Sequence, residues 1–131
     1  MKVFIPREMD PAETRVSLLP AEVAKLVKLG AEIEFQARLG ETLAIADEEY
    51  EKAGARTSND RNASLAAAQL VLRMGTPTSE DIRHLGKGCI HISYLDPFNN
   101  TALIKELADQ GVSGISLEMI PRTTIAQKMD V

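Results

Sequence analysis

A cluster of polar residues near the end of the chain has side-chain types suited to binding a polar amide or a carboxylate. Arg122, Gln127 and Asp130 follow an apolar segment and Pro121. Arginine offers a planar fork of donors, glutamine offers donors and an acceptor, and aspartate offers acceptors. The same pattern is also compatible with a helix start whose polar residues face water. Because loops often carry function, the cluster is a candidate binding site.

A second charged segment lies near the start of the chain, between Arg7 and Arg15. One interpretation is a solvated loop with local ion pairs, which contribute little to stability. The other is a loop that holds an arginine beyond the end of the first strand. The sequence leaves both interpretations open.

The other chemistry-bearing residues form no recognisable catalytic or metal-binding motif. His84 and His91 lack metal-ligand spacing with each other and with Cys89, the single cysteine. Cys89 is interpreted as a buried, unreactive thiol and His91 as a strand histidine with ordinary partners. The glycines form neither the three-glycine dinucleotide fingerprint nor a phosphate-binding loop. We therefore expect no catalytic side chain and no metal site.

Strand-like and helix-like segments alternate along the chain. Strands are expected at Lys2–Ile5, 31–35, 69–74, 89–92 and 114–117, with 55–58 as an optional edge strand. Helices are expected to start near Pro20, Asp47, Ser64, Thr78 or Ser79, and Asn99 or Asn100. This alternation predicts a three-layer α/β fold with a flavodoxin-like parallel sheet of about five strands. Ligands bind beyond the carboxyl ends of such strands, where residues 122–130 follow the last one.

Composition limits the classes of function. The length of 131 residues fits a single domain spanning residues 1–131. A net charge of −4 and an aromatic content of 4% argue against nucleic-acid binding. No apolar run is long enough to cross a bilayer, and the first residues lack the apolar region of a signal peptide. One cysteine suits a reducing compartment, so we expect a cytoplasmic chain with no direct membrane insertion.

Several sequence blocks together are more specific than any single motif. They are KVFIPRE (2–8), ETRVSLLP (13–20), KLGA (28–31), YEKAGA (50–55) and ISLEMIPR (115–122), followed by Ala126-Gln127 and Met129-Asp130. In these blocks the chain resembles the N-terminal domain of the alpha subunit of proton-translocating NAD(P) transhydrogenase, and more distantly that of alanine dehydrogenase. The resemblance covers essentially the whole chain. It implies the fold of the formate/glycerate dehydrogenase catalytic domain.

Two positions separate these relatives. Alanine dehydrogenase has a lysine where this chain has Gly75 and a histidine where it has Asp96. Glycine offers neither charge nor a donor side chain, and an aspartate would repel the carboxylate of a small oxo acid. The comparison favours transhydrogenase. An alanine-dehydrogenase-like oxidoreductase and a non-catalytic stand-alone domain remain alternatives.

The resemblance also implies roles for the polar cluster. In that family the matching segment lies over the nicotinamide of NAD(H). Arg122 and Asp130 would then fix the carboxamide and ribose region, and Gln127 would reach toward the nicotinamide of NADP(H) on a partner. The chain departs from the family at Ile125, where a second arginine is usual, and at Lys128, where a small polar residue is usual.

The resemblance implies cofactors and partners as well. NAD and NADP would be bound mainly by domains absent from this chain, which is expected to stop before a Rossmann NAD-binding domain. The expected partners are a second copy, the NADP-binding subunit and the membrane subunits. The chain would thus lie peripheral to the inner membrane. Alone, it is expected to bind NAD(H) very weakly and to show no turnover.

Overall fold

A computed structural model of the chain describes residues 1–8, 16–96 and 99–117. The site residues predicted from the sequence, Arg122, Gln127 and Asp130, lie outside the described residues, as does Arg15. The described strands are β1 Lys2–Ile5, β2 Glu32–Gln36, β3 Arg56–Ser58, β4 Leu70–Leu72, β5 Ile90–Ser93 and β6 Ser113–Ser116. The described helices are α1 Pro20–Lys28, α2 Asp47–Lys52, α3 Arg61–Ala67, α4 Ser79–His84 and α5 Thr101–Asp109.

The strands form one parallel sheet in the order β3-β2-β1-β4-β5-β6. In the centre, Val3 of β1 is opposite Ile33 of β2 on one side and Leu70 of β4 on the other. The predicted three-layer α/β fold is confirmed. In the described part of the chain the sheet has six strands, because the optional edge strand β3 pairs with β2.

The alternation of side chains along β1 creates two apolar layers. Val3 and Ile5 point to a cluster that includes Val23 of α1 and Tyr50 of α2. Phe4 points to the opposite cluster, formed with residues of α3, α4 and α5. Each fully buried apolar side chain contributes about 1.5–3 kcal/mol relative to exposure. The centre of the sheet is therefore anchored on both faces.

Helix ends follow the sequence signals in part. Gly30 has a φ of +99°, which suits the glycine predicted to end α1. The side chain of Thr78 caps α4 by accepting the Asp81 N–H at 3.1 Å, as predicted. Asp47, predicted as a cap, instead lies inside α2 and accepts the Arg38 N–H at 2.9 Å. A turn at Arg38, with a φ of +66°, presents that N–H to the carboxylate.

The start of α5 also differs from a simple side-chain cap. Asn100 is the residue before the helix, but its side chain donates to the Leu95 carbonyl at 2.9 Å instead of capping α5. None of the helices in the described part of the chain is long and apolar enough to span a membrane.

Candidate functional site

The sheet order changes direction between β1 and β4, which places a crevice beyond their carboxyl ends. In open α/β sheets this is where ligands bind. Residues 6–8 follow β1 on one side, and residues 73–76 follow β4 on the other. We call the space between these two segments the switch-point crevice.

Glu8 closes one side of the switch-point crevice. Its carboxylate accepts the Met74 N–H at 2.9 Å and the Gly75 N–H at 2.8 Å. Hydrogen bonds to a charged acceptor contribute about 1.5–3 kcal/mol each. A Cβ atom at position 75 would lie 2.9 Å from Glu8 Oε1, which is closer than such contacts tolerate. An added side chain at position 75 would therefore require the flexible Glu8 carboxylate to shift.

Gln36 ties the segment after β1 to the end of β2. Its Oε1 accepts the Arg7 N–H at 2.8 Å and a hydrogen bond from Arg61 Nη1 at 2.6 Å. The same Arg61 nitrogen donates to the Arg7 carbonyl at 3.1 Å. Arg61 lies at the start of α3, so this helix helps to hold the β1 segment in place.

Asp81 joins two arginines beneath these loops. Its carboxylate accepts hydrogen bonds from Arg61 Nη2 at 2.7 Å and from Arg73 Nη1 at 2.9 Å. Burial alone would raise the pKa of Asp81, but the hydrogen bonds and positive charges of the two arginines outweigh it and hold that pKa below its usual range. The three side chains together carry one net positive charge at the carboxyl edge of the sheet.

Arg73 is almost fully buried, with a side chain 4% exposed. Among the described residues no group accepts a hydrogen bond from its Nε. His91 lies on the same face of neighbouring β5, and its Nδ1 is 3.4 Å from the hydroxyl of Ser93. Burial, together with the positive charge of Arg73, lowers the pKa of His91 to about 4, so the imidazole is neutral at physiological pH. His91 is thus a buried strand histidine, as predicted.

Backbone contacts fix the segment after β4 independently of Glu8. The Tyr94 N–H donates to the Met74 carbonyl at 3.1 Å, and Thr76 Oγ1 donates to the Tyr94 carbonyl at 2.7 Å. The Arg73 N–H donates to the Ile92 carbonyl at 3.0 Å. The donors that face Glu8 are therefore held in position by the end of β5 and by Tyr94, which follows it.

Asp96 has a structural role at the entrance to α5. Its backbone has a φ of +46°, and its carbonyl accepts N–H groups from Asn99 and Asn100 at 3.1 Å. The Asn99 side chain donates to its carboxylate at 3.1 Å. Asp96, which we expect to repel the carboxylate of an oxo acid, is thus also part of the turn before α5.

Cys89 is buried, which confirms that part of the sequence interpretation. Burial raises the pKa of its thiol to about 11, so the reactive thiolate is scarce at neutral pH.

Sequence reasoning missed the network of Arg61, Arg73 and Asp81. One usable signal was Arg73 itself, since a charged residue directly after an apolar strand needs a partner when it is buried. The identity of that partner, on a helix that starts after a proline and a threonine, was not readable from spacing.

The structure also has a recess of about 270 Å³ near the amino ends of the strands, lined by charged and apolar side chains that include Lys2, Glu32, Val3 and Ala31. It lies at the opposite end of the sheet from the switch-point crevice. We therefore place the candidate site at the crevice and not at this recess.

Known proteins are similar to this chain in sequence and fold. Residues 4–131 match the family described as alanine dehydrogenase/PNT, N-terminal domain. The chain is 31% identical over 130 residues to NAD(P) transhydrogenase subunit alpha of Cereibacter sphaeroides, covering 99% of this chain and 25% of that protein. It is 32% identical over 142 residues to the alanine dehydrogenase of Halomonas elongata, covering 100% of this chain and 38% of that protein.

Solved structures agree. The crystal structure of a transhydrogenase from Sinorhizobium meliloti matches with a TM-score of 0.89 and 36% identity, covering 99% of this chain and 39% of that one. An L-alanine dehydrogenase with a TM-score of 0.83 and 24% identity supports the fold alone. The chain spans between 25% and 39% of the length of these two curated relatives and the Sinorhizobium structure. From residue 4 to residue 131, it belongs to the alanine dehydrogenase/PNT N-terminal domain family.

Proposed function

We propose that the chain is the N-terminal domain of a proton-translocating NAD(P) transhydrogenase alpha subunit. The complete enzyme would exchange hydride between NAD(H) and NADP(H). The relatives include both transhydrogenase and alanine dehydrogenase at similar identity, so similarity alone does not choose between them. The choice rests on the switch-point crevice, where Gly75 provides no side chain and the neighbouring donors are occupied by Glu8. This arrangement leaves no cationic side chain at position 75 to hold a small oxo acid.

The described residues do not fit the pyrophosphate of a dinucleotide. Such a group binds at the N-terminus of the first helix, after a tight glycine-rich turn. Here the connection from β1 to α1 runs through residues 6–19, and α1 starts at Pro20. The carboxylate of Glu22 accepts the Leu19 N–H at 2.8 Å at that helix start. A carboxylate there disfavours a phosphate, so a further Rossmann domain of the subunit would bind that part of NAD.

The role proposed for this chain is to position the nicotinamide. Arg122 and Asp130 would hold the carboxamide and ribose region of NAD(H), and Gln127 would face the nicotinamide of NADP(H). Direct hydride exchange requires two rings held close and aligned, which is a task of positioning. The cofactors supply the hydride chemistry, and the protein supplies orientation. No side chain of this chain then needs to act as an acid or base.

The proposed assembly follows from the same assignment. The domain would act in a homodimer, together with an NADP-binding subunit and membrane subunits. It would lie on the cytoplasmic side, peripheral to the inner membrane. The transhydrogenase relatives are named as subunits, and this supports assembly of the domain with other subunits.

The test combines this chain with the other transhydrogenase domains and subunits and measures hydride transfer from NADPH to a spectrally distinct NAD analogue. We expect transfer to fall by about tenfold or more in Arg122→Ala and Asp130→Asn, since losing one positioning contact to the transition state costs about 1.4 kcal/mol or more. Lys128→Ala is the matched control, because the same segment is changed at a residue without an assigned role. Unchanged transfer in both variants would overturn the assignment.

Two further measurements separate the alternatives. NADH oxidation that depends on pyruvate and ammonia, without NADP, would identify an alanine-dehydrogenase-like enzyme instead. Calorimetry of the chain alone with millimolar NADH is expected to show very weak binding. Clear saturation at micromolar NADH would contradict the proposal that a further domain binds most of NAD.

A further inference from the structure

We propose that the recess at the amino ends of the strands binds a small zwitterion of the α-amino acid class. We call it the amino-end recess. It is lined by residues of β1, β2, β3 and α3, and its volume is about 270 Å³. Sites for drug-sized ligands have volumes of about 300–1,000 Å³, so this recess fits a smaller molecule. It lies at the opposite end of the sheet from the switch-point crevice and adds a ligand that the proposed function does not include.

The alternation of side chains along β2 gives the amino-end recess a polar wall. Ile33 and Phe35 point to the apolar cluster that includes residues of α1 and α2. Glu32 and Glu34 alternate with them and therefore point to the other face of the sheet, where they line the recess. The Cα atoms of residues two positions apart in a strand are separated by about 6.6 Å. A single ammonium group can therefore lie between these two carboxylates.

The carboxylate of Glu34 is held in place by one of its two oxygens. Glu34 Oε1 accepts a hydrogen bond from the hydroxyl of Ser64 in α3. Ser64 is buried, and its hydroxyl oxygen lies 2.5 Å from that of Ser58. The other oxygen, Glu34 Oε2, has no donor among the described residues. One oxygen is thus fixed by α3, and the other is available to a donor on a ligand.

Two cationic side chains flank the carboxylates without forming ion pairs with them. Lys2 is opposite Glu32 in the register of β1 and β2. Arg56 is opposite Glu34 in the register of β2 and β3. Within the described part of the chain, no salt bridge joins either pair. Two anionic and two cationic groups are therefore available to a ligand in one recess.

This arrangement of charges favours a zwitterion over a simple ion. A ligand with only a positive charge would be repelled by Lys2 and Arg56, and a ligand with only a negative charge by the two carboxylates. Neighbouring strands are about 4.8 Å apart, so an ammonium group above β2 has a cationic side chain within reach of a carboxylate on the adjacent carbon. The guanidinium of Arg56 offers that carboxylate a planar pair of donors. Ammonium and carboxylate groups on one carbon define an α-amino acid.

Small apolar side chains line the rest of the amino-end recess. They include Ala31 before β2, Ala67 in α3 and Ala68 directly after α3. Their methyl groups leave space that larger side chains would fill. An aliphatic side chain on the ligand would contact these methyl groups, so we choose L-leucine as the probe.

The experiment titrates the full chain with L-leucine and records amide NMR spectra. We expect saturable shifts at Glu34, Arg56 and Ser64. The matched ligands are 4-methylpentanoate, which lacks the ammonium group, and 3-methylbutylamine, which lacks the carboxylate. Each should bind more weakly by about tenfold or more, because it loses one set of charge-assisted hydrogen bonds. No nicotinamide cofactor is present, so this inference can fail without affecting the proposed function.

Two kinds of variant test whether the recess itself is the site. Glu32→Gln and Arg56→Gln change exposed side chains and should weaken leucine binding by about threefold or more. Ala67→Leu should abolish binding by filling the recess, whereas Ala66→Leu, its exposed neighbour in α3, should bind as the wild type does. Leucine is a good helix former, so both variants are expected to fold.

Four results would each overturn the inference. The first is a wild-type chain without saturable shifts at Glu34, Arg56 and Ser64. The second is equally tight binding of the amine or of the acid alone. The third is unchanged leucine affinity in both glutamine variants. The fourth is equal binding by the two leucine variants, whether it is retained or lost in both.

Discussion

Arg73 and Asp81 form an ion pair at 2.9 Å with side chains that are 4% and 11% exposed, at the carboxyl edge of the sheet. The pair connects the end of β4 to the first turn of α4, and Arg61 extends it to α3 at 2.7 Å. A charge at this depth is tolerated because it is paired and hydrogen-bonded. The network therefore holds two helices and a strand end in a fixed arrangement beneath the switch-point crevice.

We expect Asp81→Asn to destabilise the fold by about 3–5 kcal/mol, because it leaves two arginines without their shared counter-charge in a buried place. Urea unfolding at neutral pH measures this change. Glu41→Gln is the matched control, since it breaks the Arg7–Glu41 pair, whose side chains are 35% and 56% exposed. An exposed pair contributes about 0–1 kcal/mol. Equal losses in the two variants would contradict the role assigned to burial.

The stability of the protein should fall on mild acidification because of His91. The pKa of this imidazole is about 4 in the folded protein and 6.5 in the reference state. Between these values the unfolded chain binds more protons, so the free energy of unfolding decreases as the pH is lowered from 6.5 toward 4. The slope is at most about 1.4 kcal/mol per pH unit for one group.

Urea unfolding at a series of pH values tests this prediction with His91→Gln and His84→Gln. The slope between pH 6.5 and 4 should become shallower in His91→Gln and persist in His84→Gln. The carboxylate of Asp81 adds a separate loss at lower pH: its pKa is lowered below 3.8, so its stabilisation is present above that value and is lost as the pH falls through the folded pKa. A His91→Gln protein with the wild-type slope would refute the assignment.

The sequence predicted local features better than tertiary contacts. Lys2–Ile5 as a strand, Pro20 as a helix start and Thr78 as a cap are local signals, and the structure has each of them. The contact of Glu8 with Met74 joins residues 66 positions apart, and no periodicity encodes it. Asp47 is a case where a local signal was misleading. It was predicted to cap α2, but it is the first residue of that helix and accepts the Arg38 N–H instead.

The candidate site was predictable only as a location. The carboxyl ends of parallel strands lie at one edge of the sheet, so the sequence predicts a site at that edge. The structure places Arg7, Glu8 and Arg73 there. Which of these residues bind each other depends on the strand order, which the pattern of elements does not determine uniquely. The residues proposed for the nicotinamide rest on the resemblance alone.

Cys89 should react with a thiol reagent only when the fold opens. Its side chain is buried, and burial raises the thiol pKa to about 11. We expect modification by an aromatic disulfide reagent to be slower by about a hundredfold or more in the native protein than in urea. In the native protein little of the thiol is ionised, and the reagent cannot reach the buried side chain. The absorbance of the released thiolate measures the rate. Rapid modification of the native protein would show that Cys89, directly before β5, is accessible without unfolding.

The hydroxyl of Tyr50 ties α2 to the segment before α1. It donates to the Leu18 carbonyl at 2.9 Å, the residue is fully buried, and its ring lies 5.1 Å from that of Phe35. Burial, together with the nearby Glu22 and Glu49, raises the pKa of Tyr50 to about 12, so the hydroxyl remains a donor throughout the physiological range.

Tyr50→Phe removes this donor and leaves the ring in place. We expect the free energy of unfolding to fall by about 1–3 kcal/mol, because the buried Leu18 carbonyl loses its partner. Thr57→Val is the control, since it deletes an exposed hydrogen bond to Glu51 of 2.9 Å and should cost less than about 0.5 kcal/mol. Urea unfolding gives both values. If Tyr50→Phe costs no more than the control, the Leu18 carbonyl has found another donor, and the segment before α1 is not held by α2.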